Sequence, residues 1–445
     1  MRGFWHDVAE LVEVALRYVW GQARLRAAIR WGKDPWGVYQ TQTRAWTSRP
    51  PTKSGFTGPI LDFLARERRI QALCLFRKAG LPANIVVILR SELHFLSVRT
   101  VVEALLEAKT RVLFVKACAL AEGFESEWTA RGVRIEAEDF DVSSFEPDVV
   151  FLPTPFDEIL PPSLRSASLM RIARLAYVPY GFEIGAWHRN QFDAFLHNNA
   201  WRVFARSERF AGMYRRYSSR SRGENVRVTG HPKSDLLWRA QAAATRPAGD
   251  RRRILWTPHF DELADGTGWS TFSVFLETFL SFTRTHREVD FVVRPHPYLK
   301  GRLAELGRAE QWERLEAADR EFSHFTLHTE PEYFDLLTRI DALMSDCSSL
   351  LFEFLPMGRP VLYLENPRGP RLNEEGDVVK LYEIAREPSG MEAFLRAFAD
   401  ASLPKTRVGN DGAVEEFLYR FDGNCGRRVA EGILRDLGAD LPASR

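Results

Sequence analysis

Short apolar runs alternate with segments of helical spacing from about residue 85 onward. The strand-like run NIVVILR is followed by SVRTVVEALLEA, whose apolar positions recur at helical intervals, and then by the strand-like run RVLFVKA. Four more runs rich in β-branched or aromatic residues come next: PDVVFLPTP, RLAYVPYG, RVFARS and VRVTGHP. Strands that alternate with helices over this length predict a parallel sheet covered by helices, and therefore an α/β fold.

A polar stretch rich in alanine and arginine, Arg239–Arg253, interrupts this pattern and has the composition of a linker. Beyond it the alternation restarts with the strands RILWTPH, DFVVRPHP, DALMSDC and PVLYLE and the helical segments FSVFLETFLSFTRTH, GRLAELGRAEQWERLEAA and SSLLFEFLPMG. This predicts two Rossmann-like domains that face a central cleft, the architecture of GT-B glycosyltransferases. We expect an N-terminal acceptor domain over residues 61–240 and a C-terminal nucleotide-donor domain over residues 250–445.

Residues 1–60 are predicted to form an amphipathic helical extension. Apolar positions between Phe4 and Val19 recur near the helical period, and a basic cluster follows them: Arg24, Arg26, Arg30 and Lys33. The stretch also carries five tryptophans: Trp5, Trp20, Trp31, Trp36 and Trp46. Such a segment can lie on an anionic membrane surface with its tryptophans at headgroup level. The alternative is a helix packed on its own domain, because amphipathic spacing does not separate the two.

Composition narrows the class of protein. A chain of 445 residues is too long for one ordinary core, and a net charge of +2 gives no global attraction to nucleic acid. The four cysteines are scattered and form no C-x-x-C pair, which fits a reducing compartment and argues against a disulfide framework or a zinc ribbon. No apolar stretch approaches the roughly 20 residues of a membrane span, and acids interrupt the N-terminal pattern, so no signal peptide is expected. We expect a cytoplasmic protein with no metal and no cofactor.

Polar residues gather directly after the predicted strands, where ligands collect in open α/β sheets. In the second half these segments are Thr257–His259, Arg294–Pro297 and Ser345–Ser349. In the first half they are Tyr180-Gly181 and Gly230–Asp235, which includes Lys233. Adjoining strand ends that carry hydroxyl, imidazole or guanidinium groups predict a binding site for a polar ligand.

The segment Arg294-Pro295-His296-Pro297 is a stiff loop, because two prolines fix the backbone on either side of the histidine. Arg294 at the end of an apolar strand offers a planar fork that suits phosphate oxygens. The alternative is a rigid turn with a surface-paired arginine and a packed histidine.

The segment Ser345-Asp346-Cys347-Ser348-Ser349 is predicted to lead into a helix that begins near Ser348. The free N–H groups at that helix end would form an anion site, and three serines add hydroxyls around it. Glu353 lies one turn beyond Ser349 and could accept from a sugar hydroxyl. The alternatives are an ordinary serine cap and an exposed helix acid.

The set TGHPKSD, ILWTPH, FVVRPHP and SDCSSLLFEFLPMGRPVLYLE resembles the CDP-glycerol glycerophosphotransferase family, the teichoic-acid primases and polymerases and related capsule polymerases that share a GT-B fold. The hallmarks of that family are an R-x-H-P loop and an S-D-x-S-S stretch followed by an acid and a K/R-P strand. Here they correspond to Arg294–Pro297, Ser345–Ser349, Glu353 and Arg359-Pro360, and the agreement covers about residues 170–370. The resemblance implies that the two loops grip the pyrophosphate and the sugar-like part of a CDP-linked donor.

Lys233, Tyr180 and Gly181, at the strand ends of the first half, are also expected to contact the donor. The chain departs from the family in its first half, where a W-H-G-T segment with a proposed basic histidine is replaced by Tyr177–Gly181. His188 or His259 could take the place of that histidine. A smaller departure is Cys347, which stands where the family has an aromatic residue.

The function expected from this resemblance is transfer of a polyol phosphate, such as glycerol phosphate, from a CDP-linked donor to a hydroxyl of a lipid-linked cell-surface glycan or teichoic-acid-like polymer, with release of CMP. Arg294, His296 and the serines would hold the developing negative charge, and His296 or His259 would move the proton. Three alternatives remain: a GT-B glycosyltransferase that uses a nucleotide sugar, a nucleotide-sugar epimerase, and a scaffold without activity. The expected location is the inner face of the cell membrane, as a peripheral protein.

Overall fold

The computed structural model describes residues 82–245, 250–404 and 412–438, together with a few helical positions between residues 23 and 30. The predicted extension over residues 1–60 otherwise lies outside the described residues. None of the helices in the described part of the chain has the length and the apolar character that a membrane span requires.

Seven parallel strands form the first sheet in the order β3-β2-β1-β4-β5-β6-β7. The strands are β1 (Asn84–Leu89), β2 (Arg111–Lys116), β3 (Arg134–Ala137), β4 (Val149–Leu152), β5 (Arg174–Tyr177), β6 (Arg202–Ala205) and β7 (Val226–Val228). The helices of this half are α1 (Glu92–Phe95), α2 (Arg99–Glu107), α3 (Glu122–Ala130), α4 (Ser166–Leu169), α5 (His188–Phe192), α6 (Phe195–Asn199), α7 (Glu208–Tyr217) and α8 (Pro232–Ala243).

Six parallel strands form the second sheet in the order β10-β9-β8-β11-β12-β13. The strands are β8 (Arg252–Thr257), β9 (Val289–Val293), β10 (Phe325–Leu327), β11 (Ala342–Ser345), β12 (Val361–Leu364) and β13 (Glu383–Ala385). The remaining helices are α9 (Phe272–Thr285), α10 (Leu299–Glu305), α11 (Ala309–Glu321), α12 (Phe334–Arg339), α13 (Leu350–Glu353), α14 (Pro388–Ala399), α15 (Ala413–Phe417) and α16 (Cys425–Leu437).

The predicted α/β architecture with two parallel sheets is confirmed, and the chain has a GT-B-like fold. Both sheets are doubly wound, because the first strand of each half lies between the second and the fourth. In such sheets the loops after the first and the fourth strand run in opposite directions, and a crevice forms at the carboxyl ends of these two strands. The two crevices are therefore expected after β1 and β4 in the first half and after β8 and β11 in the second.

Three details differ from the sequence-based expectation. The segment predicted as one helix after residue 300 is two helices, α10 and α11, because Gly307 has a positive φ of 68° and ends the first. The predicted linker Arg239–Arg253 is shorter, since α8 extends to Ala243 and β8 begins at Arg252. The helix after β11 is a single turn, α13, followed by a short 3-10 helix that Gly358 ends in the left-handed conformation.

The last helix, α16, returns to the first sheet. Val429 and Ile433 of α16 share a buried apolar cluster with Val101 and Leu105 of α2. The start of α16 is held by Asp235 of α8, whose carboxylate accepts the N–H groups of Cys425 at 2.8 Å and Gly426 at 2.7 Å. The division of the chain into domains at residues 60 and 250 stays a prediction, and α16 packs with the half that precedes that second boundary.

The two halves are joined by buried polar contacts. The backbone N–H of Asn373 donates to the carbonyl of Ile184 at 2.8 Å. The fully buried guanidinium of Arg206 pairs with the equally buried Glu375 at 2.5 Å and lies 3.6 Å from Glu183. Burial raises the pKa of Glu183 to about 7, although the charge of Arg206 opposes the shift. These contacts fix how the two strand-end surfaces face each other.

Candidate active site

The three polar loops of the second half meet at adjacent strand ends. They follow β9, β8 and β11, which are neighbours in the sheet, with Ser345 in register with Thr257. The N–H of His296 donates to the carbonyl of Pro258 at 3.0 Å, which links the first two loops. The N–H of His259 donates to the carboxylate of Asp346 at 2.8 Å, which links the second and third. The structure thus brings the predicted loops into one hydrogen-bonded group.

His259 and His296 lie side by side, with their ring centroids 5.4 Å apart. In each ring Nδ1 accepts a backbone N–H from two residues further on, that of Asp261 at 3.1 Å and that of Tyr298 at 3.2 Å. An imidazole whose Nδ1 accepts a hydrogen bond carries its proton on Nε2 when it is neutral. Both rings therefore present an N–H donor from Nε2.

Burial keeps both imidazoles neutral. It lowers the pKa of His259 to about 4 and that of His296 to about 3, where the neighbouring His259 adds to the effect. Neutral rings with Nε2 protonated can donate to phosphate oxygens but have no free lone pair for an acceptor proton. The geometry thus favours hydrogen-bond donation over the proton-accepting role expected of these residues.

A second polar cluster joins the halves beside these histidines. The ammonium of Lys233, from α8, lies 2.9 Å from the carboxylate of Glu353 on α13, and both side chains are almost fully buried. The same carboxylate accepts the hydroxyl of Ser349 at 3.0 Å and that of Tyr333. The guanidinium of Arg294 stacks on the ring of Tyr333, 4.3 Å from its centroid. Four predicted residues from both halves thus meet around Tyr333, which the sequence did not single out.

Glu353 and Arg294 form more hydrogen bonds with other protein groups than the sequence indicates. Both carboxylate oxygens of Glu353 already accept hydrogen bonds, so it positions Lys233 across the cleft and is not free for a sugar hydroxyl. Arg294 Nη1 contacts His328 Nδ1 at 2.8 Å and donates to the carbonyl of Glu330 at 2.5 Å. Burial lowers the pKa of Arg294, but it starts from a value high enough for the side chain to remain charged.

Ser345 and Asp346 lie behind the loops and are fully buried. The hydroxyl of Thr257 donates to that of Ser345 at 2.7 Å. The carboxylate of Asp346 accepts from the backbone N–H of Thr271 at 2.9 Å as well as from His259. Burial raises the pKa of Asp346 to about 7. These two residues hold the loops in place and present no group to the cleft side.

Cys347, Ser348 and Ser349 form the turn before α13. The hydroxyl of Ser348 accepts the N–H of Leu350 at 3.2 Å, whereas Ser349, the N-cap residue, makes no side-chain cap hydrogen bond. Among the contacts of the described residues, the backbone N–H groups of these three residues have no acceptor. Because α13 has one turn, its dipole adds little, and the anion-binding capacity of this segment rests on those N–H groups.

Tyr180 and Gly181 lie on the first-half side of the cleft. The carbonyl of Pro179 is 2.7 Å from His231 Nε2, and His231 Nδ1 accepts the N–H of Lys233 at 3.2 Å, so the histidine ties this loop to the start of α8. The ring of Tyr180 packs edge-on against His94 at 4.5 Å between centroids. A side chain at position 181 would meet open space, so no steric need explains this glycine.

His188 does not join the site. Its Nε2 lies 3.0 Å from the carboxylate of Glu374, and its ring stacks on Tyr217 at 4.1 Å. It contributes to the contact between the halves. His94, by contrast, lies in the cleft region but was missed, because a single histidine in the turn SELHFL has no distinguishing pattern.

Comparison with known proteins identifies the enzyme class. Residues 202–385, which contain the donor-side loops and Lys233, match the family model described as CDP-Glycerol:Poly(glycerophosphate) glycerophosphotransferase. The resemblance expected from the sequence is confirmed. The chain is a CDP-glycerol glycerophosphotransferase-like transferase. A search of curated protein sequences finds no match.

Solved structures with a similar fold include a wall teichoic acid polymerase and a UDP-GlcNAc 2-epimerase. A variant of the wall teichoic acid polymerase TagF aligns with a TM-score of 0.52 at 11% identity over 85% of this chain and 98% of that one. A TagF variant soaked with CDPG gives 0.51 with the same identity and coverage. The UDP-GlcNAc 2-epimerase of Methanocaldococcus jannaschii, in complex with UDP-GlcNAc and UDP, gives 0.54 at 12% identity over 80% and 100%. Matches at sequence identities this low show that the fold is shared and nothing more.

Proposed function

We propose that this transferase moves a glycerol phosphate, or a similar polyol phosphate, from a CDP-linked donor to a hydroxyl of a lipid-linked glycan or teichoic-acid-like polymer and releases CMP. The family match supports the donor class. The observation that carries the proposal is the set of N–H donors at the switch point of the second sheet. The Nε2 groups of His259 and His296 lie there beside the unpaired backbone N–H groups of residues 347–349.

This set of donors suits a diphosphate. Phosphoryl transfer needs the charge on the phosphate oxygens held in place, and neutral N–H donors in a partly buried site supply that without reorganisation. Lys233 adds a positive charge from the first half, and its remaining N–H bonds are free of protein acceptors among the described residues. Donor binding would therefore bridge the cleft.

The nucleotide product distinguishes this function from the alternatives. Purified protein is incubated with CDP-glycerol and a short-chain synthetic lipid that carries a disaccharide with one terminal glycerol phosphate. We expect CMP as the nucleotide product and an acceptor that grows by one glycerol phosphate. UDP-GlcNAc serves as the control donor. Release of UDP in that control, with no CMP from CDP-glycerol, would favour a glycosyltransferase and contradict the proposal.

We further propose that the protein acts as a peripheral protein at an anionic membrane, held by residues 1–45. The basic cluster and tryptophans of this segment support the proposal, since each Lys or Arg near such a surface contributes about 1 kcal/mol. The full chain should co-sediment with anionic liposomes and partly dissociate as ionic strength rises, because salt screens charges but not aromatic burial. A truncated chain that starts at Thr47 should sediment much less. Equal sedimentation of both forms would exclude this role.

A further inference from the structure

The strand order of the first sheet places its switch point between β1 and β4. A small cavity of about 10 Å³ lies at the carboxyl ends of these strands, and its lining includes Arg90, His94 and Pro153. The short helix α1 begins directly after β1, with Ser91 as its N-cap, and this places His94 in the lining of that cavity. Ligands of doubly wound sheets bind at such a point.

His94 differs from the other histidines of the described residues in its hydrogen bonding. Each of the others has at least one ring nitrogen within hydrogen-bonding distance of a protein atom. The ring of His94 makes no such contact, and its Nδ1 is shielded from solvent without a partner. No protein group therefore fixes its tautomer, and the proton can reside on Nδ1 with a lone pair on Nε2.

The surroundings of His94 keep its imidazole neutral. Burial and the charges of Arg90 and Lys233 lower its pKa to about 4. Tyr180 covers one side of the ring at 4.5 Å, and Tyr298, next to His296 across the cleft, lies within electrostatic reach of Tyr180. A neutral imidazole thus lies on the first-half side, and Tyr180 lies between it and the loop that carries His296.

We propose that His94 is the general base that accepts the proton of the acceptor hydroxyl. The proposal rests on the proposed function, which needs a proton acceptor that His259 and His296 do not provide. As the acceptor oxygen forms its bond to the β-phosphorus, the bond from that phosphorus to the bridging oxygen breaks and CMP leaves with the electron pair. The hydroxyl proton passes to a ring nitrogen of His94, which becomes an imidazolium.

The positive charges beside His94 are consistent with this step. In the free protein burial, with the charges of Arg90 and Lys233, holds the imidazole of His94 in its neutral form, so it is ready to accept a proton at neutral pH. The donor diphosphate brings negative charge close to Lys233 and offsets this effect. The basicity of His94 therefore increases when the donor is bound, which is the stage at which the proton must be accepted.

The first experiment compares His94→Gln with wild type, using CDP-glycerol and the synthetic lipid acceptor of the product assay. Loss of a general base should lower kcat about 10²–10⁴-fold, while the Kd for CDP-glycerol measured by calorimetry stays within twofold. His286→Gln is the matched control, because His286 stacks on Phe282 at the end of α9, away from the cleft. Near-wild-type turnover of His94→Gln would overturn the assignment. A wild-type protein that neither binds CDP-glycerol nor releases CMP would instead refute the proposed function, and the assignment of His94 as the general base would fail with it.

The second experiment uses Arg90→Gln and the pH dependence of kcat/KM for the lipid acceptor at saturating CDP-glycerol. Removing this charge should raise the pKa of His94, so the acidic limb of the profile should move to higher pH. The residual activity of His94→Gln should lack that limb. A limb that persists in His94→Gln, or that does not move in Arg90→Gln, would show that another group accepts the proton.

Discussion

Replacing His296 with alanine should lower turnover about 10²–10³-fold, the typical loss when one preorganised donor to a developing negative charge is removed. The Nε2–H of His296 is preorganised because Nδ1 is held by the N–H of Tyr298 and the flanking prolines fix the loop. Arg294→Ala should cause a similar loss, because it removes the charge that stacks on Tyr333.

The measurement is the rate of CMP release from CDP-glycerol, with the melting temperature recorded for each variant. His286→Ala serves as the control for replacing a histidine outside the cleft. Arg294→Lys separates charge from geometry, since lysine keeps the charge but cannot stack on Tyr333 or reach the carbonyls of Glu330 and Pro331 as a fork. Near-normal turnover in both alanine variants would mean that the loop has a structural role only.

The largest effect on stability is expected from Glu353→Ala. This change leaves the ammonium of Lys233 buried without its partner, and breaking a buried ion pair in this way costs about 3–5 kcal/mol. The hydroxyls of Tyr333 and Ser349 also lose their acceptor. Urea unfolding followed by circular dichroism measures the change.

Two comparisons sharpen this test. Glu392→Ala removes an exposed partner of Arg396 on α14, where a helical pair contributes only about 0.3–0.5 kcal/mol. The double variant Lys233→Met with Glu353→Leu should recover most of the loss, because it replaces both buried charges with apolar groups. A single variant Glu353→Ala that unfolds at the wild-type urea concentration would show that the pair is solvated and contributes little.

The sequence predicts central strands well and edge strands poorly. Central strands such as β1 and β8 are apolar runs, because helices cover both faces of the sheet. The sequence pattern predicts every central strand of both sheets. The strands β3, β10 and β13 were missed, and each lies at an edge of its sheet. In β13, Glu383 and Ile384 are exposed, so the periodic apolar pattern that identifies a strand is absent.

The candidate site could also be predicted only in part from the sequence. Strand ends predict which loops gather, because the carboxyl ends of parallel strands share one edge, and three loops of the second half were found in this way. The sequence cannot show which polar groups a neighbour already occupies. Glu353 was therefore assigned to a ligand hydroxyl although Lys233, Ser349 and Tyr333 contact it. The sequence does not single out His94, because the feature that distinguishes it is the lack of any hydrogen bond to its ring. That feature can be seen only in the structure.

The return of α16 to the first sheet affects how this protein can fold during synthesis. The half that contains β1 to β7 is interrupted in sequence by the whole second sheet, since α16 supplies Val429, Ile433 and Leu437 to its core. A nascent chain that has emerged up to residue 245 still lacks the helix that covers α2. The first half can complete its core only after about 180 further residues, so its final packing follows the appearance of the second half and depends on contacts of long sequence separation.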